Sequence, residues 1–339
     1  MTLTQLRYLI AIADAGLNIT VAAERVHATQ PGLSKLLRQL EDELGFQLFH
    51  RKGRSLHAIT HAGTQVLERA RTILAEAANI RSIAANLRNE SRGTLRIATT
   101  HTQARFALPS AVSALSRSYP QVSVHLQPVS DADVINLLEG GHVDLAIVST
   151  AAGAPPPHGI ALPAYRWNRI VLAPQDHPLA RQDRPPTLEQ LAAQPLISYD
   201  SSLKSESSLA RAFQAANLHP QIAMTASDAD LIKTYVREGM GIGILAEMAY
   251  QAEHDTDLRR LNADHLFVPC TTWILLRRES VLRDYTLDFI NVFAPHLERR
   301  AVSRALATAG TGPLPWPGVP HWRDRPVPSR VAEAVADVG

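Results

Sequence analysis

The sequence predicts an α/β chain with an all-α N-terminal domain, a long connecting helix and two α/β lobes. Three observations carry this. Apolar residues at helical spacing dominate the first sixty or so positions. One heptad-like stripe then runs through residues 64–89. From residue 93 onward, short apolar strand-like runs alternate with helical stretches, the pattern of an α/β domain with a largely parallel sheet.

Residues 4–15 read as a helix with Leu6, Leu9, Ile10 and Ala13 on one face. Ile19, Ala22, Ala23 and Val26 mark a second helix over 19–26, which the stretch HATQP ends. Thr29 suits an N-cap and Pro31 a first helical turn, so a third helix runs from about 31 to 44 and Gly45 closes it. Leu33, Leu36, Leu37, Leu40 and Leu44 face inward, which leaves Gln30, Ser34, Lys35 and Arg38 outward. Arg51, Lys52 and Arg54 surround Gly53, the tip of a small β-wing. An outward Gln, Ser, Lys and Arg suit the major groove of double-stranded DNA, with the wing near the sugar-phosphate backbone. The same pattern also suits an ordinary helix pair with a solvated face.

The net charge of +2 hides an asymmetry. Residues 1–92 hold 12 Lys/Arg against 8 Asp/Glu, a net of +4, and the remainder a net of −2. A basic end on a slightly acidic body fits a nucleic-acid module attached to something else. The single cysteine, Cys270, rules out an intrachain disulfide and fits a reducing compartment. The first residues, MTLTQLRYLIAIADAG, do not read as a leader, and no apolar run approaches the ~18 residues of a membrane span. A cytoplasmic protein is expected.

The stripe through 64–89 consists of Leu67, Ala70, Leu74, Ala77, Ile80, Ala84 and Leu87. It either pairs with the same helix of a second subunit or packs on the chain's own body. SRG at 91–93 marks a boundary, after which LRIAT, VSVHLQPV, DLAIVS, WNRIVLAP, PLISYD and TTWILLRR alternate with helices. At ATTHTQARFALP, Thr99, Thr100, Thr102 and Gln103 lie between a strand and a helix. There they form either an anion pocket at a helix N-terminus or a redundant cap cluster.

TQPGLSKLLRQLEDELGFQLFHR resembles the signature of LysR-type transcriptional regulators, over residues 1 to about 65. TTHTQARFALP, YRWNRIVLAP, DHPLA, TASDADLIKTYVREGMGIGI and DFINVFAPHL are similar to the CysB branch of that family, which extends the match to about residue 297. The resemblance implies a winged helix-turn-helix over 1–63, a dimerising linker helix over 64–90 and a periplasmic-binding-protein-like effector domain over 91–297. Within that domain it implies lobe 1 at about 93–162 and 268–297, and lobe 2 at about 163–267. It further implies a pseudo-palindromic operator, a homodimer or homotetramer, RNA polymerase as a further partner, and a small anionic effector such as sulfate, thiosulfate or acetylserine. The implied effector contacts are Thr100, Thr102, Gln103 and Ser149, with Thr99, Thr150 and Ser202 beside them. Where the family has YTFGFTGRS, this chain has YDSSLKSES, which puts Lys204 near a family threonine. Either the ligand differs from sulfate, a sulfonate-related one included, or the loop is rearranged.

No catalytic group, metal site or cofactor site is expected. EGMGIGIL lacks the strand–glycine–helix context of a dinucleotide site, and His57 and His61 lack companion ligands. A solute-binding protein and an enzyme on an α/β scaffold are the alternatives from other classes. Residues 298–339 read as a tail, with six prolines and two of the four tryptophans, Trp316 and Trp322, within 311–328.

Overall fold

The computed structural model describes residues 1–53, 55–157, 159–308 and 318–325; Arg54 and Trp316 lie outside them. The chain forms two units, Met1–Asn89 and Glu90–Gly339.

The first unit opens with α1 (Leu3–Asp14), where Thr2 and Gln5 cap each other's backbone N–H groups. Asn18 caps α2 (Ile19–Arg25) and Thr29 caps α3 (Gln30–Leu44), accepting the Gly32 N–H at 3.3 Å. Gly45 ends α3 in the left-handed region at φ 79°, which a Cβ would strain. An antiparallel hairpin follows, β1 (Phe49–Lys52) and β2 (Ser55–Ile59), with Gly53 at its tip. Leu6, Leu9, Ile12, Leu33, Leu37, Leu40 and Phe49 fill one core between the helices and the hairpin.

The long helix α4 spans His61–Leu87 and starts earlier than the expected Thr64, because the Thr60 hydroxyl accepts the Gly63 N–H at 2.9 Å. Gly63 is required there, since a Cβ would lie 2.1 Å from the Leu48 carbonyl oxygen. The expected stripe divides. Leu67, Ala70 and Leu74 pack into the first unit's own core, whereas Ile80 is 67% exposed and Leu87 80% exposed. Ile73 and Ile83 join these two in an exposed row at heptad spacing.

The second unit begins with β3 (Gly93–Thr99), a π-helical turn (Gln103–Ala107) and α5 (Pro109–Ser118). β4 (Val122–Pro128), α6 (Asp131–Glu139), β5 (Leu145–Ala151) and β6 (Ile160–Trp167) follow. Then come β7 (Arg169–Pro174), α7 (Leu188–Ala192), β8 (Leu196–Tyr199), α8 (Ser208–Ala215), β9 (Ile222–Ala226), α9 (Ala229–Arg237), β10 (Ile242–Ala246) and β11 (Leu258–Leu261). The chain closes on β12 (Cys270–Leu276), α10 (Asp284–Phe293) and α11 (Arg299–Ala307).

Two five-stranded sheets result, β4-β3-β5-β12-β6 and β11-β7-β10-β8-β9. Each has a parallel part, and β12, β6 and β7 run antiparallel to their neighbours, so both sheets are mixed rather than largely parallel. The antiparallel strands are those that carry the chain between lobes. WNRIVLAP is therefore not one strand: Trp167 ends the first lobe's edge and Arg169 starts the second lobe, with Asn168 between them. That crossing falls later than residue 162, and the return lies within 262–269. The expected tail from 298 also begins as a helix, because Val302 and Ala305 of α11 are buried in the second unit's core.

Candidate functional site

Two sites were expected, one in each unit. On α3, Thr29 and Pro31 build the helix start, the first as cap and the second in the opening turn. Gln30, Lys35 and Arg38 are exposed beside half-buried Ser34, and the Gln30 amide donates to the Ser34 hydroxyl at 3.3 Å. Lys52 is exposed at the hairpin tip. Arg51 has a different place. It is half-buried and pairs with Glu41 at 2.6 Å, while Glu41 also accepts the Leu48 and Phe49 N–H groups. Its charge thus fixes the hairpin to α3.

In the second unit the residues from 99 to 103 part company. Thr99 is fully buried and its hydroxyl donates to the Ile147 carbonyl at 3.1 Å, stitching β3 to β5. It does not join the site. Thr100 is half-buried at the turn, and its carbonyl accepts the Ala104 N–H. Gln103 sits at the centre of a polar cluster: its amide donates to Ser149 at 3.4 Å and to Thr272 at 3.3 Å. The Tyr165 hydroxyl donates to the Gln103 carbonyl oxygen, and the Trp167 indole to Ser149 at 3.3 Å. Burial pushes the Tyr165 hydroxyl up to about 12, so it stays a donor. Thr150 points to the opposite face of β5, where it accepts from Trp273 and donates to Ala154, as strand alternation requires.

Arg169 faces this cluster from the start of the second lobe. It is 5% exposed, and its guanidinium donates to Ser208 at 2.6 Å and to Ser202 at 3.0 Å, with the Trp167 ring 6.0 Å away. None of these partners is a carboxylate. A guanidinium buried against hydroxyls alone keeps a net positive charge in a low-dielectric setting, which is costly unless an anion completes it. Arg169 comes from another segment than the ATTHTQ turn, and Trp167 links it to the cluster, its ring 6.0 Å from the guanidinium and its indole N–H on Ser149. Ser202 is fully buried, 3.0 Å from the Ser198 hydroxyl, which donates to the Ile244 carbonyl at 2.6 Å. The Tyr199 hydroxyl, raised by burial, bonds Thr102 from the facing lobe.

Lys204 does not line this interior. It is exposed, and its charge lies close enough to Asp131 at the start of α6 to pull that carboxyl down. Burial nevertheless holds Asp131 above the usual carboxylate range, with a Ser201 hydrogen bond opposing it. The π-helical turn is itself tied to the second lobe: Arg105 pairs with Asp230 at 2.5 Å and Lys233 lies 5.5 Å from the Phe106 ring centre. Arg169, Trp167, Tyr165 and Thr272 were not singled out in the sequence. The signal available was a lone basic residue opening the otherwise apolar strand NRIVLA.

A basic helix-turn-helix unit joined to a two-lobed α/β unit is the architecture of a ligand-responsive transcriptional regulator. Residues 3–64 match the family described as bacterial regulatory helix-turn-helix protein, lysR family, and residues 88–298 match the LysR substrate binding domain. The HTH-type transcriptional regulator CysB of Haemophilus influenzae is 43% identical over 309 residues, 90% of this chain and 94% of that one. The HTH-type transcriptional regulator SsuR of Burkholderia cenocepacia is 38% identical, over 91% of this chain and all of that one. Among solved structures, the cofactor-binding domain of the Cbl transcriptional regulator superposes with TM-score 0.60 at 34% identity, covering 65% of this chain and 96% of that one. This chain belongs to the LysR family of transcriptional regulators and is related to CysB, SsuR and Cbl. It is a regulator and not an enzyme, which sets aside the catalytic and solute-carrier alternatives. Among the described residues no helix is long and apolar enough to cross a membrane.

Proposed function

We propose that the chain is a cytoplasmic regulator of sulfur assimilation or organosulfur use that senses a small anion in the cleft between its lobes. The observation that carries this reading is buried Arg169, a cation that among the described residues bonds hydroxyls and lies by an indole ring, with no carboxylate partner. Ser202 bonds it directly and Ser149 is linked to it through Trp167; with Thr100 and Thr102 of the turn these are short, neutral hydroxyls, a set that suits an oxyanion. Gln103 is then a positioning residue, since its amide already spans Ser149, Thr272 and Tyr165. The head reads double-stranded DNA through Gln30, Ser34, Lys35 and Arg38, with Lys52 on the phosphates. The exposed row Ile73, Ile80, Ile83 and Leu87 supports a homodimer built on α4, which a pseudo-palindromic operator needs. An anion alters DNA binding only if it binds two lobe arrangements unequally.

Calorimetric titration of the full-length chain with sulfate, thiosulfate, O-acetylserine and a short alkanesulfonate tests this reading. Binding of one of these should weaken at least about tenfold in Arg169→Gln, the worth of a hydrogen bond to a charged group. Equal affinity in the parent and in Arg169→Gln would remove the cleft cation from the site. No binding by any of the four would remove the sulfur-related anion.

A further inference from the structure

After α11, segment 320–325 lies against the hinge of the second unit. The Arg166 N–H donates to the Pro320 carbonyl at 2.9 Å, and Arg166 and His321 form a parallel bridge. Trp322 packs on Tyr165 with ring centres 5.2 Å apart, and the Arg325 guanidinium lies 4.4 Å from the Tyr165 ring centre and 4.8 Å from that of Phe293. These are first-lobe contacts. The Arg323 side chain reaches the other way, donating to Glu247 at 2.6 Å and to both carboxylate oxygens of Asp264 at 3.2 and 3.4 Å.

Glu247 and Asp264 are not arbitrary acids. Glu247 is buried and grips Asn168, the residue between β6 and β7: its carboxylate accepts the Asn168 N–H at 2.8 Å, and its own N–H donates to the Asn168 carbonyl at 3.1 Å. Asp264 lies in the return segment 262–269. One arginine therefore holds both strands of the hinge, while the aromatic side of the same six residues grips the first lobe. Lobe closure concentrates its φ/ψ change in such crossing residues, so a third connection across them removes freedom from the motion.

We propose that residues 320–325 form a staple that restrains the hinge between the lobes, with Arg323 as its clasp and Trp322 and Arg325 as its anchor. The staple ends one contact away from the polar cluster, because Tyr165 under Trp322 is the donor to Gln103. Its consequence for effector binding rests on the cleft reading above; the restraint itself does not.

Hydrogen–deuterium exchange of the full-length chain without ligand tests the staple, with Arg323→Ala and Trp322→Ala compared to the parent. Amides of 163–170 and 262–270 should exchange about tenfold faster in both variants, while those of β4 and β9 keep their rates. Unchanged exchange at the two crossings would overturn the proposal. So would an equal rise across the whole second unit, since the segment would then be ordinary core. A separate titration of the parent with inorganic sulfate addresses only the cleft, and its silence would leave the exchange result standing.

Discussion

The hairpin of the first unit holds a half-buried arginine and the second unit a buried one, and the two are treated in opposite ways. Arg51 meets a carboxylate that also caps two backbone N–H groups, so its charge is spent inside the fold. Among the described residues Arg169 meets serine hydroxyls and an indole face and no carboxylate, so its charge remains available. The exposed α3 face needs no such store, because DNA is a polyanion met in water. Under the reading proposed above, a small anion would have to be drawn out of water, and a buried cation without a carboxylate partner would provide the difference.

The largest effect that separates the two arginines is on stability. Arg51→Met should destabilise the first unit by about 1–3 kcal/mol, since it leaves buried Glu41 short of a partner. Arg169→Met should be neutral or stabilising in the absence of ligand, because it removes a lone buried charge. Denaturant unfolding of both variants is the check, and an equal loss in each would dissolve the contrast. A comparable effect on sequence choice is expected on α3. Gln30→Ala should lose ~1–3 kcal/mol of discrimination at one base pair, whereas Lys52→Ala on the hairpin should weaken binding to most sequences alike and lower the salt slope by about 1. Binding measured against a panel of operator variants at several salt concentrations would show the roles reversed if the assignment is wrong.

The smallest effect concerns His296, beside the staple. Burial holds its imidazole below the ordinary value, Arg325 adds to this, and its hydrogen bond to the Pro163 carbonyl opposes it. The folded pKa lies below the unfolded one, so the stabilisation is present above about pH 6.5 and is lost as pH falls through the folded value. The unfolding midpoint should therefore drop on the acid side of neutrality, and His296→Gln should flatten that slope. A slope unchanged in the variant would assign it to other groups.

The head was legible because its rules are local. Thr29, Pro31 and Gly45 declare the ends of α3 within a few residues of where they act, and Leu33, Leu37 and Leu40 give its buried face, while Leu36, expected inward, is only half-buried. The heptad stripe was legible only as a stripe. Which part of it serves the chain's own core depends on α1 lying against Leu67 and Ala70, a contact that spacing cannot reveal. In the cleft, the turn residues Thr102 and Gln103 could be found from ATTHTQ, but their partners come from residues 149, 165, 199 and 272. Thr150 and Thr99 look equivalent to their neighbours in sequence, and strand alternation turns them elsewhere. Lys204 attracted attention as a charge in a divergent loop, yet the buried charge is Arg169, hidden in a strand that reads as apolar. The prolines and tryptophans of 311–328 mark a tail in the sequence, while the seat of Arg323 on Glu247 and Asp264 has no sequence trace.

Gly63 carries one more implication. With the Leu48 carbonyl only 2.1 Å from where its Cβ would stand, α4 and the chain entering the hairpin touch backbone to backbone. Thr60 bolts the same corner, its hydroxyl donating to the Gln47 carbonyl at 2.9 Å and accepting from Gly63. Ile59 of the hairpin packs against that same Cβ position, 3.0 Å from it. A turn of α4 about its own axis is thereby passed on to the hairpin, as a shaft turns a key bit.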